Sequence, residues 1–169
     1  MKTSKFVLAS LLLSCAGATA AQQAAQPARA PTQNAQATQP QLTPDQRAQI
    51  ARQDAEMSRA AAQVVQLVDQ NKVAEVWAGA STVAKSAATL DEFVKQIALD
   101  RQKLGAITER KQLAVTRAAY AAGGQVPAGN YVNVVYATKF ANAPQPVREL
   151  VSFHLDGEQI WRVSGYSLR

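Results

Sequence analysis

Side chains able to do covalent or metal chemistry are scarce in this sequence, and two kinds occur once each: Cys15 and His154. A metal site or a Ser-His-Asp arrangement would have to use His154. No H-E-x-x-H run, no nucleophile elbow and no paired histidine ligands are present. Gly123-Gly124 lies between strand-like segments and does not open a helix, so it makes no phosphate cradle. The residue types therefore predict no catalytic residue, no metal and no cofactor.

Cys15 sits in Leu12-Leu13-Ser14-Cys15, which resembles a bacterial lipobox whose cysteine is lipidated and becomes the mature N-terminus. Around it, Met1 to Ala20 has the build of a secretory signal. Lys2 and Lys5 form a basic start, Phe6 to Leu13 is apolar, and Ala18-Thr19-Ala20 completes an A-x-A cleavage site. That complete site favours cleavage near Ala20 and a periplasmic or secreted protein; the alternative is an envelope lipoprotein anchored through Cys15. The apolar run is far short of the ~20 residues that span a bilayer, so no transmembrane helix is expected.

Cleavage near Ala20 would leave a mature chain without cysteine, which excludes disulfides and thiol chemistry. It would carry 16 basic against 12 acidic residues, a net charge of +4. That is too small and too scattered to argue for nucleic acid. The segment 21–42 is nearly all Ala, Gln, Pro, Thr and Asn, and is expected to be a disordered linker.

Residues 43–169 remain, enough for one domain with a core. Thr43 with Pro44 and Gln46 starts a helix running to about Gln70, with only its second half well buried. A short helix carrying Val73, Val76, Trp77 and Ala80 follows the break at Asp69 to Lys72. A third starts at Thr89 with Glu92 and stops at Gly105, its stripe of Leu90, Phe93, Val94 and Ile97 having helical spacing. The period then changes: 110–121, 130–140, 147–155 and 159–168 read as strands. Helices followed by strands predict an α+β domain, N-terminal helices packed on one face of a curved four-stranded antiparallel sheet.

In the last hairpin, a three-residue turn Leu155-Asp156-Gly157 with Gly157 left-handed pairs Val151 with Trp161. It gathers Val151, Phe153, Trp161 and Val163 on one face. The opposite face then carries Arg148, Leu150, Ser152, His154, Ile160, Arg162, Ser164 and Tyr166, with His154 beside Glu158. Arg148, His154, Arg162 and Tyr166 are the binding candidates of a face read as solvent-exposed, dimer-forming or ligand-facing. The basic residues Arg101, Lys103, Arg110 and Lys111 read as a solvated face.

Trp77, Gly129-Asn130-Tyr131-Val132, Phe140-Ala141-Asn142 and Trp161-Arg162-Val163-Ser164-Gly165-Tyr166 together form a pattern. Over roughly residues 60–169 it resembles the bacterial secreted domain-of-unknown-function family numbered 4019. The resemblance implies an address and a shape but no activity. The order of elements also looks like the NTF2-like or cystatin-like group, in which helices pack on a curved sheet. Enzymes on such scaffolds use a buried carboxylate with a tyrosine donor, which here would be Glu149 with Tyr131, Tyr136 or Tyr166. Glu149 falls by parity on the apolar face, or it pairs at the sheet edge with Arg117 or Lys139.

These readings converge on a non-catalytic exported module that binds, scaffolds or assists an envelope protein or small ligand, with a homodimer through the sheet face as an extension. The alternative is a small-molecule binder or hydrolase with a pocket between helices and sheet.

Overall fold

A computed structural model describes residues 41–169. The export segment, Cys15 and all of the linker before Gln41 lie outside the described residues. Four helices come first: α1 (Pro44–Asp69), α2 (Val73–Ala78), α3 (Thr82–Ala87) and α4 (Leu90–Leu104). Four strands follow: β1 (Ile107–Tyr120), β2 (Gly129–Phe140), β3 (Val147–Leu155) and β4 (Trp161–Leu168). The strands form one antiparallel sheet in the order β1-β2-β3-β4, so the architecture is α+β.

Both foreseen capping boxes form. Thr43 Oγ1 accepts the Gln46 N–H while the Gln46 side chain takes the Thr43 N–H, and Thr89 and Glu92 do the same for α4. Each satisfies two amides that a helix start otherwise leaves unpaired. α1 is buried only from Met57 onward, through Ala61, Val64, Val65 and Val68. These residues pack with Val73 and Val76 of α2 and Ile97 of α4 onto Val132, Val134, Val151 and Phe153 of the sheet. Burying such side chains contributes on the order of 1.5–3 kcal/mol each.

The short helix α3 was not foreseen, and it departs from helices on one face only. Ser81, with no exposed surface, caps it by accepting the Ala84 N–H, and its own N–H donates to Val163 O at 2.8 Å. A parallel bridge between Ala80 and Val163 continues this attachment. α3 therefore flanks the β4 edge of the sheet, and its residues Val83, Ala84 and Ala87 look onto the face opposite the helical layer.

The last hairpin differs from the expected register. Leu155 pairs with Trp161, His154 with Arg162 and Phe153 with Val163, across a five-residue connection Asp156–Ile160. Gln159, not Gly157, takes the left-handed position, at φ 60°. The slip is an even number of residues, so Trp161 and Val163 keep the face of Val151 and Phe153. An irregularity then skips Ser164, so that Gly165 pairs with Ser152 and Tyr166 with Val151. One unpaired residue reverses the facing of the rest of the strand. A second irregularity leaves Leu113 of β1 unpaired between Gln112 and Ala114, and Leu113 is exposed.

Candidate functional site

Three places bring chemistry-bearing side chains together. The first lies inside the helix–sheet layer, around Glu149. This carboxylate has no exposed surface and receives Arg110 Nε at 2.6 Å, Arg110 Nη2 at 3.1 Å, the Thr138 hydroxyl at 2.6 Å and the Tyr166 hydroxyl at 2.6 Å. Arg110 also grips Asp69 at the end of α1, at 2.7 and 3.0 Å, and Arg101 of α4 reaches Asp69 at 3.2 Å. Burial alone would ease the proton off Arg110; its bonds to Asp69 and Glu149 outweigh that and hold the guanidinium charged. Burial first, then the charge of Glu149 and its hydrogen bond, push Tyr166 far above the ordinary tyrosine range, so its hydroxyl stays a donor.

Glu149 thus lies on the apolar face, but neither proposed edge partner reaches it. Arg117 sits farther along β1, opposite Val132, and pairs with Asp54, while Lys139 pairs with Glu109. Of the three tyrosines only Tyr166 bonds to Glu149. Tyr136 feels it through burial and charge, which raise its pKa, and Tyr131 points to the other face, its hydroxyl on Pro127 O at 2.9 Å. With both carboxylate oxygens occupied, the arrangement clamps α1, β1, β2, β3 and β4 together. Arg101 and Arg110 also correct the solvated-face reading: their side chains are only 20% and 18% exposed.

The second place surrounds His154. Its Nδ1 lies 2.8 Å from Asp156 Oδ1, and both residues are buried. The expected surface pair with Glu158 does not form, because the longer connection sends Glu158 to Arg162, at 2.9 Å. The Tyr131 ring packs on the imidazole at 4.9 Å between centroids, and Nε2 is buried with no partner. A Cβ placed on Gly129 would collide with Nε2, so the Gly129 backbone lies close against that nitrogen. An imidazole shut in this way cannot reach a substrate proton. Asp156 also accepts the Thr82 N–H at 3.3 Å and lies 3.6 Å from Arg162 Nε. Burial raises its pKa, but His154, the Thr82 amide and Arg162 together bring the carboxylate below its ordinary value.

The third place is a groove of about 480 Å³ on the outer face of the sheet. Its floor includes Asn133, Leu150, Ser152 and Gly165. α3 walls one side, and Tyr120 with Val126 and Pro127 walls the other. Arg148 and Arg169 stand at one end, neighbours through backbone bonds of 2.7 and 3.0 Å. Ser164, the unpaired residue of β4, lines the groove, and its hydroxyl is buried and without a partner.

The four binding candidates are therefore dispersed. Arg148 lines the groove; His154 lies buried at the same face beneath Tyr131; Arg162 stands at a polar edge pocket with Asp156 and Glu158. Tyr166 is on the opposite, helix-covered face, because the skip at Ser164 turns it inward. Among the described residues no cluster of His, Cys, Asp and Glu is arranged to hold a metal ion, and no helix is long and apolar enough to cross a membrane.

A model of the family described as "Protein of unknown function (DUF4019)" matches residues 60–166. The chain belongs to this family. No curated protein and no solved structure matches it. In this DUF4019 chain each segment that carried the resemblance has a structural task. Gly129 makes room for His154 and Tyr131 covers it. Asn142 closes α4: its N–H donates to Leu104 O at 3.0 Å and its side chain to Lys103 O at 3.2 Å, over the left-handed Gly105. In the C-terminal segment Trp161 joins the core, Val163 O holds Ser81, and Tyr166 holds Glu149. Trp77 packs on Phe93 at 5.3 Å.

Proposed function

We propose that this DUF4019 protein is an exported, non-catalytic module of the bacterial envelope that binds through the outer face of its sheet. Its export rests on the signal pattern of Met1 to Ala20. The observation that carries the binding role is the contrast between closed and open polar groups. Glu149 and His154, the groups a hydrolase would use, are enclosed by protein, while the exposed Arg148 borders an open groove.

The test is native mass spectrometry of protein drawn gently from the envelope fraction. Wild type should carry a co-purifying ligand or partner, and Arg148→Glu and Leu150→Glu, correctly folded by circular dichroism, should lose it. A bare wild type, or variants loaded like wild type, overturns the reading. Intact mass of the mature chain tests export: a start at Ala21 or an acylated Cys15 supports it, and retained Met1 opposes it. A homodimer through this face would be disrupted by Leu150→Glu. Tyr166→Glu does not probe it, because Tyr166 lies inside.

A further inference from the structure

We infer that the outer groove binds a small amphipathic anion, an organic carboxylate or similar head on an apolar tail; the inference rests on the binding reading above. Three observations converge on this chemistry.

The first is charge. Arg148 and Arg169 meet at one end of the groove, and neither guanidinium has an ion pair or hydrogen bond with another described residue. No acidic side chain lines the groove. Every arginine of the Glu149 cluster, by contrast, is matched to a carboxylate. Two neighbouring guanidiniums with no acidic side chain beside them fit an anionic head, and the planar guanidinium suits a carboxylate fork.

The second is the gradient along the groove. From Arg148 the floor runs over Leu150 and Ser152 towards Tyr131, which lies opposite His154. That is six residues along β3, about 20 Å at the usual strand rise. The far end is apolar and aromatic: Val83, Ala87, Tyr120, Val126 and the Tyr131 ring. A cationic end followed by an apolar wall selects a ligand with the same order of parts. The volume of about 480 Å³ lies within the range of small-molecule sites.

The third is the Ser164 hydroxyl. A buried hydroxyl without a partner costs free energy unless something occupies it. Ser164 lies on the lining of the groove, between the charged end and the aromatic end, with its hydroxyl turned away from solvent. A rotation of the side chain into the groove would let an acceptor on the ligand satisfy it.

The experiment is an amide NMR titration of the full domain with three soluble probes: decanoate, decyltrimethylammonium with a similar tail and opposite charge, and acetate, a head without a tail. Decanoate should shift the amides of Asn133, Ser152, Ser164 and Gly165 saturably, at least tenfold more tightly than either of the other probes. Arg148→Gln, with an otherwise unchanged spectrum, should weaken decanoate at least tenfold and leave decyltrimethylammonium as it was. Equal binding of both tails shows an apolar patch without anion recognition and overturns the inference. So does acetate binding as well as decanoate, which marks a bare anion site. A second pocket, of about 310 Å³, is lined by Gln53 of α1 with Ala118 and Trp161 of the sheet; shifts confined to it, or no shifts at millimolar decanoate, overturn the inference too. If decanoate fails but native co-purification still depends on Arg148, the anion inference falls and the binding reading stands. If both fail, both fall.

Discussion

Glu149 and Asp156 are both buried carboxylates on or just beyond β3, yet they serve opposite faces of the sheet. Glu149 lies under the helical layer, with three donor side chains around it and Arg110 doubly shared with Asp69. Asp156 lies at the other side, tying His154 and the start of α3 to the end of the strand. The first group holds the domain together. The second holds one wall of an open groove. The difference teaches that the carboxylate under the helices is spent on cohesion, whereas the outer face keeps a cation, Arg148, with no acidic side chain beside it.

Substitutions should separate the two faces. The largest effect is expected from Arg110→Met, which leaves the buried Glu149 without its cationic partner, at a cost of about 3–5 kcal/mol in urea unfolding. Adding Glu149→Leu should recover most of that loss. A cost below about 1 kcal/mol for the single change would mean that the cluster is not the clamp described. Next comes Gly129→Ala. Gly129 has φ 141°, and its new methyl would meet His154 Nε2; backbone strain alone costs about 1–3 kcal/mol. His154→Ala in the same chain should relieve the clash but not the strain, which a double-mutant cycle would read directly.

Asp156 gives the pH arm of the comparison. Its pKa is held below the ordinary 3.8, so its charged form is favoured in the folded state. The stability it contributes is present above the unfolded value and is lost as pH falls through the lower folded value, below about pH 4. Thermal melts between pH 5 and pH 2.5 should show this loss, and Asp156→Asn should flatten that segment of the profile. Hydrogen bonds to a charged group are worth about 1.5–3 kcal/mol each, so a variant with an unchanged profile would refute the assignment. The smallest effect on stability is expected from Arg148→Gln, within about 0.5 kcal/mol, although the same change should weaken decanoate binding at least tenfold. A large stability loss there would erase the distinction between the faces.

Much of the fold was legible because its signals are local. Thr43 with Gln46 and Thr89 with Glu92 announce helix starts within four residues, and the change from helical to alternating spacing after Gly105 announces the sheet. α3 was missed because its cap, Ser81, stands among small residues with no apolar period; Ser81-Thr82 after Ala80 was the available signal. The site was less legible because its contacts depend on irregular residues. The turn length put His154 with Asp156 instead of Glu158, and the i, i+2 spacing of the pair was the only hint. Skipping Ser164 turned Tyr166 inward, and no alternation pattern marks an unpaired residue. Glu149 was placed on the correct face by parity, but its partner Arg110 is 39 residues away in sequence.

Leu113 illustrates how far one unpaired residue reaches. Arg110 lies opposite Thr138 and Val115 opposite Val134, so both face the helices although they are an odd number of residues apart. Were Leu113 paired in a regular ladder, they would point to opposite sides, and either the guanidinium or the valine would leave the interior. The same residue interrupts the outer edge of β1, which has no neighbouring strand among the described residues. It separates the paired run Glu109–Gln112 from the run Ala114–Tyr120, Thr108 being a further unpaired residue near the start of the strand. A foreign strand could zip along only one of them before losing step. Leu113 thus sets the facing of two segments and breaks an open edge; deleting it would leave Arg110 and Val115 four residues apart, both still inward, and would remove only the break in the edge.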